Sequence, residues 1–501
     1  MSGGLFDSPD KDGDFDALCE YLRAQFSGDN LPENPEGEMN PLFVDDIVKK
    51  FAELQPDTKD WLVGLDPDFA PISRGQGAFS SFPGEVESKY RSYNSSYSGK
   101  AVNQKFPTPD LPKEETAAGL AFFNCLKTGV GDRADKITVS YGTPAKSLIK
   151  NEEGEIVGVV AMQGDAEIRV KASKGVVIST GGYEYSEGMR RSFLEGPGIT
   201  GWAFYGGLNS EGDGIRMATE VGAQLTKVSK VAARLIWACP DVTKNGMKVG
   251  ANCDVVGTEG TIVVDAHGRR FMDETLITTD PSRYFSYKNA TKMDVGTLQY
   301  PNIPSYLIVD ETKRLAGSLL NLTFSTSAFG VIPWDEKNQT GIDKGWLIKA
   351  DTIEELAEKI RDEHDLNLGR MDPAVLVETM QKYQQMVDTG VDEEFGRSCI
   401  IKDPITEEET NPGFQPIVTP PFYALPLVPG GPNSLGGLMA DGDRHVVNWS
   451  NEIIPRLYAA GEVASVFLNV TQGGGNITEC VVSGRIAGAN AAAEAAWDAE
   501  N

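Results

Sequence analysis

Histidine is scarce and cysteines never pair up in this chain of 501 residues. The three histidines, His267, His364 and His445, are not spaced like a set of metal ligands, and no metal is expected. Six cysteines (Cys19, Cys125, Cys239, Cys253, Cys399 and Cys480) include no C-x-x-C pair. That argues against a zinc ribbon, a disulfide framework and haem attachment through C-x-x-C-H, and it points to a reducing, cytoplasmic setting. No apolar run is long enough to span a bilayer, and no signal-peptide pattern is found. Positive charge is also short: 46 Lys and Arg face 73 Asp and Glu, a net charge of −27, which disfavours nucleic acid and anionic membranes as partners. What remains, 40% hydrophobic and 24% charged residues, is the composition of a globular protein. At this length two intertwined domains are expected.

The most informative stretch lies near the end. Residues 456–460 read as a short extended run closing on Gly461-Glu462, which presents a carboxylate just beyond a strand. Gln472-Gly473-Gly474-Gly475-Asn476 is a turn whose backbone can approach a ligand closely, since glycine has no Cβ. A helix follows, with Ile477, Val481, Val482 and Ile486 as its apolar stripe. Its first N–H groups and positive dipole end favour an anion. Gly484 and Gly488, four apart, are expected to allow close packing on one side. A second strand, Val176-Val177-Ile178, closes on Thr180-Gly181-Gly182.

Elsewhere, helical periodicity marks residues 15–25, 41–53, 114–127, 353–363 and 373–388, and a helix opens at Gly212-Asp213-Gly214. Residues 136–150, 155–162 and 166–172 read as extended runs, and 260–264 and 306–309 as strands. The chain opens on Ser2-Gly3-Gly4 with no strand before it, and residues 64–112 read as an irregular excursion whose tyrosines could line a pocket. Gly430 to Gly437 reads as a further glycine-rich turn.

These motifs, in this order, resemble the flavoproteins that include soluble fumarate reductases and 3-ketosteroid dehydrogenases. The resemblance implies FAD as cofactor and an α/β fold: an incomplete glutathione-reductase-like FAD-binding domain with an inserted α+β cap domain. Residues 1–225 would form the first part of the FAD-binding domain, 226–419 the cap or substrate domain, and 420–501 the closing part. Incompleteness is expected because the family's opening β-α-β unit, with its G-x-G-x-x-G turn, has no counterpart. Gly196-Pro197-Gly198-Ile199-Thr200-Gly201 fits that pattern literally but follows no strand and contains a proline. The cofactor positions implied are Gly3, Gly4, Ala145, Thr180, Gly181, Gly182, Gly461, Glu462, Gly474, Gly475, Asn476 and Ile477. Glu462 would meet the ribityl chain, and the helix start would face the flavin pyrimidine.

A flavin exchanges a hydride equivalent, so the protein must handle a proton and polarise the substrate carbonyl. In fumarate reductases an arginine follows an F-x-N-E segment. Phe271-Met272-Asp273-Glu274 resembles that segment, but the next arginine, Arg283, comes late. The dicarboxylate anchors of that group, a histidine and an arginine, are replaced by Asn433 and Thr471. The steroid enzymes place a carbonyl-polarising tyrosine in a segment like Pro421-Phe422-Tyr423-Ala424, helped by backbone such as that of Gly430 or Gly431. The catalytic candidates are therefore Tyr423, Arg283 and Tyr284, with Tyr287 by neighbourhood. The expected function is an FAD-dependent oxidoreductase acting on a CH–CH or C=C bond beside a carbonyl. It would take an enone or enoate and exchange electrons with a separate donor or acceptor. A fumarate reductase or succinate dehydrogenase type of flavoprotein, and a truncated non-catalytic remnant, are the alternatives.

Overall fold

The computed structural model describes residues 3–28, 43–76, 79, 81–100, 114, 117–277, 284–322, 325, 327–328, 330–398, 401–402, 409–410 and 413–497. They form two compact units. One comprises Met1–Met189, Gly207–Val231 and Asn433–Asn501, the other Arg190–Gly206 and Ala232–Pro432.

In the first unit, the β-branched strand Val176–Ile178 lies parallel to Ile453–Ala459, with Leu457 opposite Val176 and Ala459 opposite Ile178. Parallel pairing puts the two following turns at the same end of the sheet. Both turns hinge on a glycine with positive φ, Gly181 at 75° and Gly461 at 73°, a conformation that costs other residues energy. His445–Val447 completes this sheet on its other edge.

The opening stretch is more regular than its glycines suggest. Leu5–Asp7 is a strand beside Arg91–Asn94, which is flanked on its other side by Ile72–Gln76. Burial explains this. Phe6 is fully buried, its ring 5.5 Å from that of Tyr93 and 6.3 Å from that of Phe69. Tyr90, Tyr93 and Tyr97, read from sequence as possible pocket residues, are buried core. Ala145–Lys150, Ile156–Gln163 and Ala166–Lys171 form an antiparallel meander.

The helix Gly475–Ala493 carries Ile477 and Val481 into the cluster of Phe6, Leu62, Phe69 and Phe122. On another side Ala487 and Ala491 pack on Tyr458 and Ala460. The expectation for Gly484 and Gly488 is corrected here: a Cβ at either would meet nothing within 4 Å, so it is the alanines that make the close approach.

The second unit is built on a seven-stranded sheet. Val231–Lys244, Met247–Ala251, Ala203–Phe204, Phe422–Ser434, Ser305–Asp310 and Ile262–Val264 follow one another across it, and Ile348–Ala350 also pairs with Phe422–Ser434. The segment read as a glycine-rich turn is thus partly strand. At Gly431 a side chain would strike Ala232 and Ala233, which explains glycine in that strand. Helices Ile353–Glu363 and Pro373–Thr389 bring Leu356, Ile360, Leu376 and Tyr383 into a core with Ile262, Val264, Tyr306 and Ile308. Phe271-Met272-Asp273-Glu274 anchors this unit. The buried Arg270 makes paired contacts with Glu274 (2.9 and 2.7 Å) and with Asp392 (3.0 and 2.8 Å), while Arg397 lies 3.5 Å from Glu274.

Candidate functional site

Within the first unit, the two strand-end turns converge. At Gly182 a Cβ would collide with Ser434, Glu462 and Glu184, so only glycine allows the backbone to lie there. The Ser434 N–H donates to Glu462 Oε1 at 3.0 Å and also to Glu184, and the Ser434 hydroxyl donates to Glu462 Oε1 at 3.2 Å. Burial, and then the adjacent Glu184 carboxyl, hold Glu462 far above the usual carboxylate range. The neighbouring acid thus favours the protonated form of Glu462. Thr180 Oγ1 accepts the Gly214 N–H at 3.2 Å, tying the first turn to the helix Asp213–Glu220. The Gly461 N–H donates to Ser483 at 2.8 Å. Structure therefore unites Thr180, Gly181, Gly182, Gly461 and Glu462.

The start of Gly475–Ala493 is a second focus. Asn476 Nδ2 donates to Asn433 Oδ1 at 2.6 Å, and Thr471 donates to Asn476 Oδ1 at 3.1 Å. Against Gly474 stands a fully buried acid, Asp7, whose Oδ1 would lie 2.6 Å from a Cβ there. Asp7 accepts from Ser92 at 2.7 Å, from Gln472 Nε2 at 3.1 Å and from Tyr90 at 3.2 Å, while its own N–H donates to Thr478 Oγ1 at 2.6 Å. Burial outweighs these donors and pushes its pKa up to about 7. Gly3 and Gly4 lead into this strand. Gly4, at φ 74°, is pressed against Ala118 and Gly119, so its demand for glycine comes from packing. Ala145 begins the antiparallel meander opposite Ala161.

In the second unit, Tyr284 lies beside Arg234, whose guanidinium carbon is 5.9 Å from the Tyr284 ring centre. Arg234 Nη1 donates to Asp254 at 3.2 Å, and the nearby Tyr205 favours the charged guanidinium. Burial pushes Tyr205 up to about 12. The Tyr205 N–H donates to the Gly431 carbonyl at 3.0 Å. Tyr423 is placed differently from its expected role. It is buried in Phe422–Ser434, and its hydroxyl donates to Glu311 Oε2 at 2.6 Å with the Arg314 guanidinium 5.6 Å from its ring. Seven residues along a strand separate it from Gly430, about 23 Å. Tyr287 is buried against Trp202. Arg283 lies outside the described residues.

Sequence reasoning missed Glu184, Asp7 and Arg234. Each left a trace: Glu184 follows Gly182 by two residues, Asp7 ends an apolar strand, and Arg234 is a lone cation in Val231-Ala232-Ala233-Arg234-Leu235-Ile236-Trp237.

Residues 2–478 match the family described as FAD binding domain. The chain belongs to that family. Among relatives of the FAD-binding chain, a 3-oxosteroid 1-dehydrogenase of Mycolicibacterium smegmatis is 29% identical over 73% of this chain and 61% of its own length. An NADH:acrylate oxidoreductase of Vibrio harveyi is 28% identical over 76% of this chain and 32% of its own. The chain thus spans less than two thirds of the length of these relatives. The crystal structure of a 3-ketosteroid Δ1-dehydrogenase from Sterolibacterium denitrificans superposes with a TM-score of 0.72 at 21% identity, covering 98% of this chain and 92% of the other. The fold is the mixed α/β fold of FAD-binding flavoenzymes.

FAD is the cofactor, and the residues present fit it. The Gly182 turn excludes side chains where Glu462 and Glu184 converge, and this acid pair suits the hydroxyls of a ribityl chain. No helix among the described residues is long and apolar enough to cross a membrane.

Proposed function

We propose that this chain is an FAD-dependent oxidoreductase acting on a CH–CH or C=C bond adjacent to a carbonyl. The observation that carries the reading is the joining of the Thr180–Gly182 and Gly461-Glu462 turns at the carboxyl end of a parallel strand pair, where open α/β sheets bind ligands. Glu462 receives the ribityl hydroxyls, Gly3, Gly4 and Ala145 contribute backbone, and the Gly474-Gly475-Asn476-Ile477 turn approaches the flavin ring. Bound FAD supplies the hydride exchange. The unit containing residues 232–432 serves as the cap domain. Within it Tyr284 and Tyr205 are the hydroxyls proposed to handle a proton or polarise the carbonyl, with Arg283 as a further proton donor. Tyr423 is released from that role because its hydroxyl already serves Glu311.

The relatives named for oxosteroid and acrylate chemistry support an enone or an enoate as substrate, with electrons exchanged through a separate carrier. The test is to reconstitute the chain with FAD and supply a reduced viologen or an artificial acceptor. Fumarate, a 3-ketosteroid and a cinnamate-type acid are then assayed side by side. Turnover of the ketosteroid or the cinnamate ahead of fumarate is expected. Flavin binding without turnover of any of the three would refute the reading.

A further inference from the structure

Val231–Lys244 is apolar from residue 231 to residue 237 except for Arg234, which is only 5% exposed. A guanidinium in such a place brings five N–H donors that require acceptors. Part of that demand is met. Nη1 reaches Asp254 at 3.2 Å. Nε is buried and has no acceptor among the described residues. Asp254 is not a dedicated counter-ion either. Its carboxylate also takes N–H donors from Asn252 and Asn321, and its side chain is 41% exposed. The cation therefore keeps a spare donor edge, flanked by Tyr205 and Tyr284. A planar Nε–Nη edge matches the two oxygens of a carboxylate.

The location supports a ligand. Ala232 and Ala233, just before Arg234, touch the backbone of Gly431, and Tyr205 bonds the Gly431 carbonyl. Arg234 thus lies beside the Gly430-Gly431 backbone considered for carbonyl contact.

We infer that Arg234 receives the carboxylate of the substrate and selects an α,β-unsaturated acid over a neutral ketone. This rests on the reading of the chain as an oxidoreductase of bonds beside a carbonyl, and it chooses between the two substrate classes that reading allows. The two anchor positions held by Asn433 and Thr471 carry no charge. The cation comes from a different strand.

The test compares an acid with its amide by calorimetry on the FAD-reconstituted chain, using cinnamate and cinnamamide. The wild type is expected to bind the acid about ten- to hundredfold more tightly. Arg234→Gln should remove that preference and Arg234→Lys should keep part of it, with thermal melts reporting whether each variant is folded. Equal binding of acid and amide by the wild type, or binding of neither, would overturn the inference without any variant. Turnover separates the underlying reading. An acid preferred through Arg234 but never reduced would leave the anion site standing and remove the oxidoreductase. Turnover of a ketosteroid with acid and amide bound alike would do the reverse.

Discussion

Asp7 makes the stability of the first unit depend on pH in a way one substitution can isolate. Its carboxyl is fully buried, and burial raises its pKa from 3.8 to about 7. The folded chain therefore holds this proton more tightly than the unfolded chain. Its contribution to stability is complete below about pH 4 and is lost as pH rises through 7. Each pH unit within that window is worth about 1.4 kcal/mol, so from pH 5 to pH 8 the loss is about 2.5 kcal/mol. Asn keeps the shape and has no proton to lose. Its amide can donate to Ser92, whose hydroxyl now donates to Oδ1, while its oxygen still accepts from Gln472 and Tyr90. The assay is urea unfolding of wild type and Asp7→Asn at intervals from pH 5 to pH 8. Glu479, also raised to about 7 by burial, titrates equally in both proteins and cancels in the difference. Asp7→Asn should gain on the wild type by about 2.5 kcal/mol across the range. Stability curves that stay parallel would refute the reasoning.

Glu462→Gln should weaken FAD retention by about 1 kcal/mol through loss of one carboxyl oxygen as a partner for ribityl hydroxyls, read by flavin fluorescence on dilution; unchanged affinity would make Glu462 a structural acid. Gly182→Ala places a methyl against Ser434, Glu462 and Glu184, and the purified protein should fail to take up flavin while its second unit still folds, as limited proteolysis would show. Tyr423→Phe removes the bond to Glu311 and should cost about 1 kcal/mol of stability with little change in turnover; a rate loss of about a hundredfold or more would return Tyr423 to the chemistry. Glu274→Gln weakens the buried Arg270 and Arg397 contacts and should destabilise the second unit by about 3 kcal/mol, seen as a lower melting transition.

The parts of the site that the sequence disclosed are those where backbone conformation dictates residue type. Gly181 and Gly461 need positive φ, and β-branched residues lead into the first of them, so both turns were visible as text. The helix start was visible for the same reason, through Gly474 at φ 106°. Side-chain partnerships were not. Asp7 meets Thr478 across 471 positions and Tyr423 meets Glu311 across 112, distances at which local pattern carries no information. Tyr423 was assigned from the segment around it, yet strand register decides which way its hydroxyl points. Gly484 and Gly488 had suitable spacing for a packing face, but the helix turns that side to open space. Leu5–Asp7 was too short to show a period, and only its burial beneath Tyr93 and Phe69 makes it a strand.

The parallel pairing of Val176–Ile178 with Ile453–Ala459 also sets an order of events during synthesis. Val176 waits for Leu457, a partner 281 positions further on (457 − 176), while the whole second unit is made in between. Contacts of such long range form late, and domains emerging from the ribosome tend to fold as they appear. The second unit can therefore fold while the first is still open along its central seam. Glu462, supplied by the last tenth of the chain, then completes the Gly182 turn. Flavin uptake on this account reports the arrival of the C-terminus, and a chain stopped before residue 453 would leave the Thr180–Gly182 turn exposed and unable to hold the cofactor.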